Sequence, residues 1–545
     1  MKNSMRHIEE LLGRSFNCEC GRKHHVPIQQ VVIADDAMER MSEFVTARMG
    51  EFIAARMGGF VGRPKFPAGD SGLKALLVAD RNTYAVAGEA AREALERAGC
   101  DVDVLILGKT DGSVGSDQSV RGNQGAGCSG NVGGNPDGEG DQRAGCNDDA
   151  GDNQNTAGDH NVLEADEEAI RKVLARLSDM PALAYDSRAR IDFNDAAKVG
   201  SSRARYGFAI AVGSGTINDI TKYASFKASV PYIGVPTAPS MDGYTSSVAA
   251  LLLGGFKKTL PAAPPLAVFA DLSVLARAPS DMIAAGYGDL LGKLTAGSDW
   301  VLSKLVNSEY YCEFAANIAR SIAFECLEKS AEIKARTKAA IKSLTEGLVW
   351  SGIAMLMVGN SRPASGAEHH ISHYWEMKSL REGRPQPFHG VKVGVAAVLV
   401  AKLYREVLKL DPGSFDLSKL KERHPSREER EVRIRRFYGP LAEDAIAETA
   451  GKYLSWEERE AKLREVFGRW DEIVAMLRKI APDPKRVRHA LAEAGAPCTP
   501  DAIGFSRGWV WEALTNAKDL RMRFTVLDFA DLLGCLDQIV EHLTM

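Results

Sequence analysis

The histidines of this chain are unevenly distributed, and their clustering is the strongest chemical signal in the sequence. Four of the eleven lie between residues 369 and 389, in the segments Glu368-His369-His370-Ile371-Ser372-His373 and Pro387-Phe388-His389-Gly390. Imidazole nitrogens suit divalent transition metals, and a carboxylate often completes the ligand set. The segment AGYGDLLGK supplies a candidate acid, Asp289, near the expected start of a helix. Although a single histidine is more often structural, this cluster predicts a divalent metal site.

The spacing of the first segment places its histidines on a helix. Ser365 and Glu368 fit a capping box, so we expect a helix to begin at this point. On that helix His369 and His373 are four residues apart and share a face, whereas His370 points about 100° away. Two imidazoles on one face can therefore meet a third that follows a proline-rich turn.

A glycine-containing turn indicates a phosphate site. The apolar segment FAIAV leads directly into Gly213-Ser214-Gly215-Thr216-Ile217-Asn218-Asp219, with a helix expected from Asn218. Glycine lets the backbone approach a pyrophosphate, and a helix N-terminus offers unpaired N–H groups. The pattern G-x-G-x-x-N is only part of the dinucleotide fingerprint, and a tight turn without a ligand would look similar. The hydroxyl-rich residues 237–247 are either a capped turn or a polar patch for a cofactor or substrate.

A weaker cluster lies near the N-terminus, in the segment Cys18-Glu19-Cys20-Gly21-Arg22-Lys23-His24-His25. Two cysteines and two histidines can bind zinc, but this spacing is not that of a closed tetrahedral finger. We therefore expect a structural or surface hook in preference to a metal site. The nine cysteines are odd in number and scattered, so the sequence does not indicate a disulfide framework.

The overall composition argues against several classes of protein. The 68 basic and 72 acidic residues give a net charge of −4, which is unlike a chain that coats nucleic acid or an anionic membrane. The longest apolar runs, residues 248–256 and 393–401, are far shorter than the roughly 20 residues of a spanning helix. The N-terminal segment also lacks the apolar core of a signal peptide. We expect a reduced, cytoplasmic enzyme.

The elements that position these residues fall into two halves. Strand-like segments KALLVAD, VDVLIL, FAIAVGSG and VPYIGVPT alternate with helical segments, which predicts a doubly wound parallel sheet. From about Ser280 onward the pattern is helical. The predicted class is thus α/β plus all-α, with a dinucleotide-binding domain over residues 1–279 and an all-helical metal and substrate domain over 280–545. Ligands favour the cleft between such domains. Residues 111–160, rich in Gly, Asp and Asn, are predicted to be a disordered insertion.

Five segments follow one another along the chain: AVGSGTINDITKY, VPTAPSMDGYTSSVA, AGYGDLLGK, RPASGAEHHISH and PFHGVKVGV. Together they resemble the sn-glycerol-1-phosphate dehydrogenase family, within the iron-containing alcohol dehydrogenase and dehydroquinate synthase-like superfamily. The segment CECGRKHHVPI is similar to the bacterial branch of that family. The resemblance covers residues 74–406 apart from the insertion.

The resemblance implies reversible reduction of glycerone phosphate to sn-glycerol 1-phosphate by NAD(P)H, a step toward phospholipid backbones. It also implies a homodimer with one nickel or zinc ion per subunit. The implied metal ligands are Asp289, His369 and His389, and the implied catalytic residues are Asp242, Asp289 and His373. The implied cofactor contacts are Asp80, Gly215, Thr216, Ile217, Asn218, Asp219, Thr237, Ser240 and Ser246. His370 does not match a ligand position.

Alternatives remain at this stage. The enzyme could be a glycerol or polyol dehydrogenase or a dehydroquinate synthase-like lyase of the same superfamily, or a non-catalytic nucleotide- or metal-binding regulator. Basic side chains in the substrate pocket would distinguish a phosphorylated substrate, and Lys257, Lys258 and Arg362 are candidates. We expect NADH to be preferred because Asp80 would repel a 2′-phosphate, although Arg81 could accommodate one.

Overall fold

The computed structural model describes residues 9–56, 73–108, 163–178, 206–253 and 256–545. The predicted insertion over residues 111–160 lies outside the described residues, as do the side chains of Lys257 and Lys258. The described residues outside 108–162 form one compact unit. The domain boundary expected near residue 280 therefore stays a prediction.

Apolar runs of five to eight residues form a six-stranded parallel sheet. The strands are β1 (Ser15–Asn17), β2 (Lys23–His25), β3 (Gln30–Ala34), β4 (Leu73–Asp80), β5 (Cys100–Leu107), β6 (Phe208–Gly213), β7 (Tyr232–Pro236), β8 (Val248–Leu253), β9 (Phe256–Pro261) and β10 (Ala267–Asp271). Six of them pair in the order β3-β10-β7-β6-β4-β5, and all neighbours are parallel. The pairs β1-β2 and β8-β9 are separate antiparallel hairpins.

The sheet has a switch point between β4 and β6. The chain passes from β4 to β5 at one edge and then returns to form β6 on the other side of β4. Every residue of β6 and of β7 is buried, as in a sheet covered on both faces. Ligands bind at the carboxyl ends of strands that flank such a switch. Those ends are Asp80 and Gly213.

The α-helices of five or more residues are α1 (Ala37–Arg56), α2 (Glu89–Arg97), α3 (Glu167–Leu177), α4 (Gly215–Ala228), α5 (Leu272–Ala276), α6 (Ser280–Asn307), α7 (Glu313–Leu327), α8 (Ser330–Lys334), α9 (Lys338–Val358), α10 (Ala367–Arg381), α11 (His389–Val407), α12 (Leu417–Glu422), α13 (Arg427–Tyr438), α14 (Ala442–Thr449), α15 (Trp456–Gly468), α16 (Trp470–Ile480), α17 (Pro484–Glu493), α18 (Arg507–Asn516), α19 (Val526–Leu532) and α20 (Leu536–Thr544). From residue 280 to residue 545, all of it described, the chain forms no strand. The predicted α/β plus all-α class is thus confirmed.

Three local predictions were wrong at their boundaries. Helix α4 begins at Gly215 and not at Asn218, because Ser214 is already its extended N-cap residue. Helix α10 begins at Ala367 with Gly366 as N-cap, so Ser365 is not the cap of a capping box. Helix α6 begins directly after Pro279, which places Asp289 in its third turn and not at its start.

Two glycines allow α6 to approach the loop after β7 and helix α11 closely. A Cβ atom on Gly286 of α6 would lie 1.7 Å from the carbonyl oxygen of Pro239, in the loop after β7. A Cβ atom on Gly390 of α11 would lie 1.9 Å from the carbonyl oxygen of Ala285. Any larger residue would push these segments apart. The contacts bring α6, α11 and the loop after β7 together around Asp289.

Helix α9 is the one described helix that is long and apolar enough to cross a membrane. However, 83% of its apolar window is buried inside the protein. Its residues Leu344, Leu348 and Ile353 belong to the largest hydrophobic cluster, which also contains Trp300 of α6. This is the arrangement of a core helix.

Candidate functional site

The structure brings Asp289, His369 and His389 together. They lie on α6, on α10 and at the first position of α11, and their potential ligand atoms are all within 4.8 Å of one another. His369 Nε2 lies 3.5 Å from Asp289 Oδ1, and the rings of His369 and His389 are 5.3 Å apart. Asp289 is fully buried, whereas the side chain of His389 is 26% exposed. The cluster therefore opens to solvent on the His389 side.

A buried carboxylate fixes the orientation of His369. The Nδ1 atom of His369 lies 2.8 Å from Glu368 Oε1, which directs Nε2 toward Asp289. Glu368 is held in turn by the Thr295 hydroxyl at 2.7 Å and by the Gly366 N–H at 2.6 Å. Such carboxylate–histidine pairs orient metal ligands and increase their basicity. Glu368 thus acts through His369, a role that its expected place in a capping box did not suggest.

A second carboxylate, Glu376, joins His389 to His373. Its Oε1 lies 3.0 Å from His389 Nδ1, and its Oε2 lies 2.9 Å from His373 Nδ1. The two rings stack with centroids 5.2 Å apart. Lys392 Nζ approaches Glu376 at 3.2 Å. Sequence reasoning missed Glu376, although its position three residues after His373 on a helix could have indicated the pair.

Lys293 binds the two acids of the site. Its Nζ lies 2.7 Å from Asp242 Oδ2 and 2.8 Å from Asp289 Oδ1, and its side chain is fully buried. Burial opposes the charge, but the two carboxylates outweigh it and raise the pKa of Lys293. Burial likewise disfavours the Asp289 carboxylate, yet Lys293 and His369 lower its pKa. Both groups therefore remain charged. Sequence reasoning missed Lys293, which follows Asp289 by one helical turn.

The three histidines of α10 differ in pKa and in hydrogen bonding. Burial opposes a charge on His369, but hydrogen bonds to Asp289 and Glu368 raise its pKa. Burial lowers the pKa of His373 to about 3, and Arg521 contributes to this effect. His373 is thus neutral at physiological pH. His370 is buried, and among the described residues neither of its ring nitrogens has a hydrogen-bond partner.

Asp242 connects the loop after β7 to the histidine cluster. Its N–H donates to Asp289 Oδ2 at 3.0 Å, and its Oδ2 accepts a hydrogen bond from the Ser351 hydroxyl at 3.1 Å. Thr245, a few residues later, donates to the carbonyl of Val349 at 2.7 Å. The loop is therefore anchored to α6 and α9 at the carboxyl edge of the sheet.

The turn after β6 presents the start of α4 to this edge. Ser214 is the N-cap residue of α4, but its hydroxyl lies 2.5 Å from the Ser240 hydroxyl and caps no backbone N–H. Gly215 and Thr216 begin the helix and are only half-buried. An N-terminus without a side-chain cap offers N–H groups to an anion. Ser240 and Thr237 follow β7 and are largely buried.

Other predicted cofactor contacts have their side chains inside the protein. Asp219 Oδ2 accepts a hydrogen bond from the Ala250 N–H at 3.0 Å, and its Oδ1 lies 3.3 Å from the buried Lys222 Nζ. Lys222 also donates to the Ser246 hydroxyl at 3.3 Å. Asn218 and Ile217 are buried beside them. These side chains hold the loop after β7 in place, and their direct contact with a cofactor stays a prediction.

Asp80 lies at the switch point, where it closes a capping box. Its Oδ1 accepts a hydrogen bond from the Thr83 N–H at 2.8 Å, and its own N–H donates to the Thr83 hydroxyl at 3.0 Å. The neighbouring Arg81 is exposed. Asp80 is therefore fixed in position at the end of β4, and its contact with a ribose stays a prediction.

Several known proteins are similar to this chain. Residues 146–279 match the family described as iron-containing alcohol dehydrogenase. The glycerol-1-phosphate dehydrogenase [NAD(P)+] of Bacillus licheniformis is 35% identical over 327 residues, which cover 60% of this chain and 68% of that protein. The enzyme of the same name from Geobacillus stearothermophilus is 38% identical over 321 residues, covering 59% and 70%. A solved glycerol dehydrogenase from Schizosaccharomyces pombe is 15% identical, with a TM-score of 0.48 over 94% of this chain and 90% of its own.

Proposed function

The chain belongs to the glycerol-1-phosphate dehydrogenase family, and from this premise we propose that it interconverts glycerone phosphate and sn-glycerol 1-phosphate with NAD(P)H and NAD(P)+. One observation carries the proposal. Asp289, His369 and His389 converge within 4.8 Å at the place where the loop after β7 meets the helices. The cofactor turn and the candidate metal ligands thus lie at one edge of the sheet.

The donor set fits a divalent metal. Two imidazoles and an ionised carboxylate are suitable ligands for zinc, nickel or iron, and the open side of the cluster leaves room for substrate oxygens. The anionic groups around His369 raise its pKa, so the cluster favours positive charge at its centre. A metal held by Asp289, His369 and His389 would supply a Lewis acid that polarises the C2 carbonyl of glycerone phosphate. We propose nickel or zinc.

Lys293 and Asp242 position the metal ligand Asp289. Lys293 compensates the Asp242 and Asp289 carboxylates, and the Asp242 N–H fixes Asp289 Oδ2. We also assign the half-buried Asp242 a contact with the substrate. Because Asp242 lies in the loop after β7 and donates to Asp289, it joins that loop to the proposed metal ligand.

His373 is the proposed proton carrier. Its Nδ1 is bound by Glu376, which leaves Nε2 to exchange a proton with a substrate oxygen. The neutral imidazole can accept that proton, and the Glu376 carboxylate stabilises the resulting charge. In the direction of reduction, His373 would first have to be protonated from solvent. It lies on the exposed side of the cluster, where its side chain is 19% exposed.

The cofactor would lie across the switch point. We place its pyrophosphate at the N-terminus of α4, its nicotinamide toward Thr237, Ser240 and Ser246, and its adenosine ribose at Asp80. Reduced nicotinamide supplies the hydride. The Asp80 carboxylate favours a free 2′-hydroxyl, so NADH should be preferred to NADPH. A large preference for NADPH in steady-state kinetics would contradict this assignment.

Arg521 is the basic residue that we propose for the substrate phosphate. It acts electrostatically on His373 and Glu376 and donates to the Thr259 hydroxyl at 3.4 Å. The earlier candidate Arg362 is instead buried in an ion pair with Glu309, whose Oε1 lies 2.6 Å from Arg362 Nε. Loss of a charged hydrogen bond to phosphate should raise the KM for glycerone phosphate about tenfold in Arg521→Gln.

The test compares two substrates that differ by the phosphate. We expect NADH oxidation with glycerone phosphate, chiral analysis that identifies sn-glycerol 1-phosphate, and far slower turnover with unphosphorylated dihydroxyacetone. Activity confined to glycerol and dihydroxyacetone would replace the proposed substrate with an unphosphorylated polyol. NADH binding without turnover of any of these compounds would favour a regulator.

Two further properties complete the proposal. We propose that the enzyme acts in the cytoplasm, since the seven cysteines in the described part of the chain are all free. We also propose a homodimer, which light scattering would detect as about twice the 59.0 kDa chain mass.

A further inference from the structure

We propose that Cys18, Cys20, His24 and Cys312 form a second metal site, which binds zinc and is structural. The first three residues belong to the β1-β2 hairpin, and Cys312 is the N-cap residue of α7. Their four potential ligand atoms lie within 4.8 Å of one another. None of them belongs to the histidine cluster of the proposed active site.

The distances fit tetrahedral zinc. With Zn–S of about 2.3 Å and Zn–N of about 2.05 Å, ideal tetrahedral geometry requires S···S of about 3.8 Å and S···N of about 3.6 Å. Cys18 Sγ and Cys312 Sγ are 3.8 Å apart. His24 Nε2 lies 3.3 Å from Cys20 Sγ and 3.4 Å from Cys312 Sγ. The atoms are therefore arranged around a common centre.

His24 is oriented as a metal ligand. Its Nδ1 lies 2.7 Å from the carbonyl oxygen of Met357, to which it can only donate a hydrogen bond. The lone pair is then on Nε2, which faces the sulfur atoms. A backbone carbonyl that binds the other ring nitrogen is a usual partner of a ligating histidine. His24 is also buried, unlike the neighbouring His25.

The turn between β1 and β2 positions the two hairpin cysteines. Cys18 and Arg22 are joined by a backbone hydrogen bond of 3.0 Å, and Gly21 donates to the Cys18 carbonyl at 3.0 Å. Gly21 has a φ of +82°, which a residue with a Cβ atom rarely adopts. The tight turn directs both thiols to the same side, toward α7.

The surroundings favour thiolates at part of the site. Burial opposes ionisation of Cys20, but hydrogen bonds from the Tyr310 hydroxyl and the Arg22 backbone lower its pKa to about 6. Cys312 accepts a hydrogen bond from the Ala315 N–H at the start of α7. Burial nevertheless raises the pKa of Cys312 to about 12. A zinc ion displaces the proton of a thiol that binds it.

Four protein ligands distinguish this site from a catalytic one. A closed Cys₃His set leaves no position for substrate, and such sites stabilise folds. Here the ion would join the N-terminal hairpin to the start of α7, and His24 adds the end of α9 through Met357. A disulfide does not explain the cluster, because the 3.8 Å between Cys18 and Cys312 sulfurs far exceeds a bond of about 2.05 Å.

Cobalt substitution tests the site in the full-length enzyme. Thiolate-to-cobalt charge transfer can arise only from cysteine ligands, whereas the proposed active site has none. We expect the reduced wild-type protein, stripped of metal and refilled with Co²⁺, to show this band together with tetrahedral d–d absorption. Added Zn²⁺ should abolish both. Absence of the charge-transfer band at saturating Co²⁺ would overturn the proposal.

A matched pair of variants tests which cysteines produce the charge-transfer band. Cys312→Ser should lower its intensity by at least about a third, because one of the three thiolate ligands is lost, while Cys326→Ser, at a fully buried cysteine near the end of α7, should leave it unchanged. Full band intensity in Cys312→Ser would refute the assigned ligand set. If either variant fails to fold, mercurial titration of the wild type provides a second readout. Thiol modification should release one zinc ion per chain, and no release would contradict the proposal.

Discussion

Two of the groups of potential metal ligands in the described part of the chain differ in their chemistry. In the first, Asp289, His369 and His389 come from three long helices and are surrounded by further charges. In the second, Cys18, Cys20 and His24 come from one small hairpin, and only Cys312 comes from elsewhere. The first has three ligands and a solvent-exposed side, whereas the second has four ligands. Ligand number and exposure thus separate a site suited to chemistry from one suited to holding segments together.

The two clusters orient a histidine ligand in the same way. In both, a histidine is oriented by an acceptor on its other ring nitrogen: Glu368 for His369 and the Met357 carbonyl for His24. The acceptor is a carboxylate in the first cluster and an uncharged carbonyl in the second. A carboxylate increases ligand basicity more strongly, and it also makes the proposed active site dependent on the charge balance around it.

The largest expected effect is on turnover. His389→Ala removes one ligand from the open cluster and should lower kcat for glycerone phosphate by about a thousandfold, equivalent to about 4 kcal/mol. The cobalt charge-transfer band of the cysteine cluster should remain. As a control, Cys312→Ser should retain turnover per folded molecule. A His389→Ala enzyme with normal metal content and turnover would show that the metal assignment is wrong.

Next in size is the loss of the buried lysine. Lys293→Met leaves the Asp242 and Asp289 carboxylates without their cation and should lower the free energy of unfolding by about 3 kcal/mol. Urea denaturation of the metal-free protein measures this effect. Lys392→Met offers a comparison at the Glu376 end of the same site. Unchanged stability in Lys293→Met would mean that the two acids are not both ionised.

The third effect depends on pH. Burial, together with the Glu368 carboxylate, raises the pKa of Asp299 to about 7 from 3.8. Because the folded-state pKa is raised, its stabilising contribution is complete below pH 4 and declines as the pH rises through 7. Between pH 5 and 8 the wild type should therefore lose about 3 kcal/mol of unfolding free energy relative to Asp299→Asn. Parallel pH profiles for the two proteins would contradict this prediction.

The smallest expected effect follows from a change at Glu376, whose carboxylate binds Nδ1 of His389. Glu376→Gln keeps the size of the side chain but removes the charge that orients His389 and His373. We expect metal affinity at the open cluster to fall about tenfold, with no change at the cysteine cluster. Competition with a chromophoric chelator measures both affinities. An equal loss at both clusters would indicate general unfolding instead.

The sequence predicts the elements that carry strong local patterns. Buried runs such as FAIAVG and YIGVP become β6 and β7, and the histidine spacing locates α10. The strands β3 and β10 were not predicted, and they pair with each other across a long separation in the sequence. The boundaries of α4 and α10 were also wrong, because serine and glycine can occupy either side of an N-cap.

The residues of the candidate sites were also only partly predictable from the sequence. The ligands Asp289, His369 and His389 are recognisable from residue type and from family motifs. Glu376 and Lys293 are not, because they lie three and four residues from their partners His373 and Asp289, and exposed ion pairs on helix surfaces have the same spacing. For the cysteine cluster, the hairpin residues alone do not complete a tetrahedron. Their fourth ligand, Cys312, lies 288 positions from His24. Only the packing of α7 against the hairpin brings it within reach.

The most direct measurement is turnover against bound metal. NADH oxidation with glycerone phosphate should be followed in the enzyme as purified, after removal of metal by a chelator, and after restoration with nickel or zinc. The histidine cluster predicts that turnover falls to background when the metal is removed and returns as one equivalent fills that site. Full turnover in protein that elemental analysis shows to be metal-free would contradict the proposed chemistry.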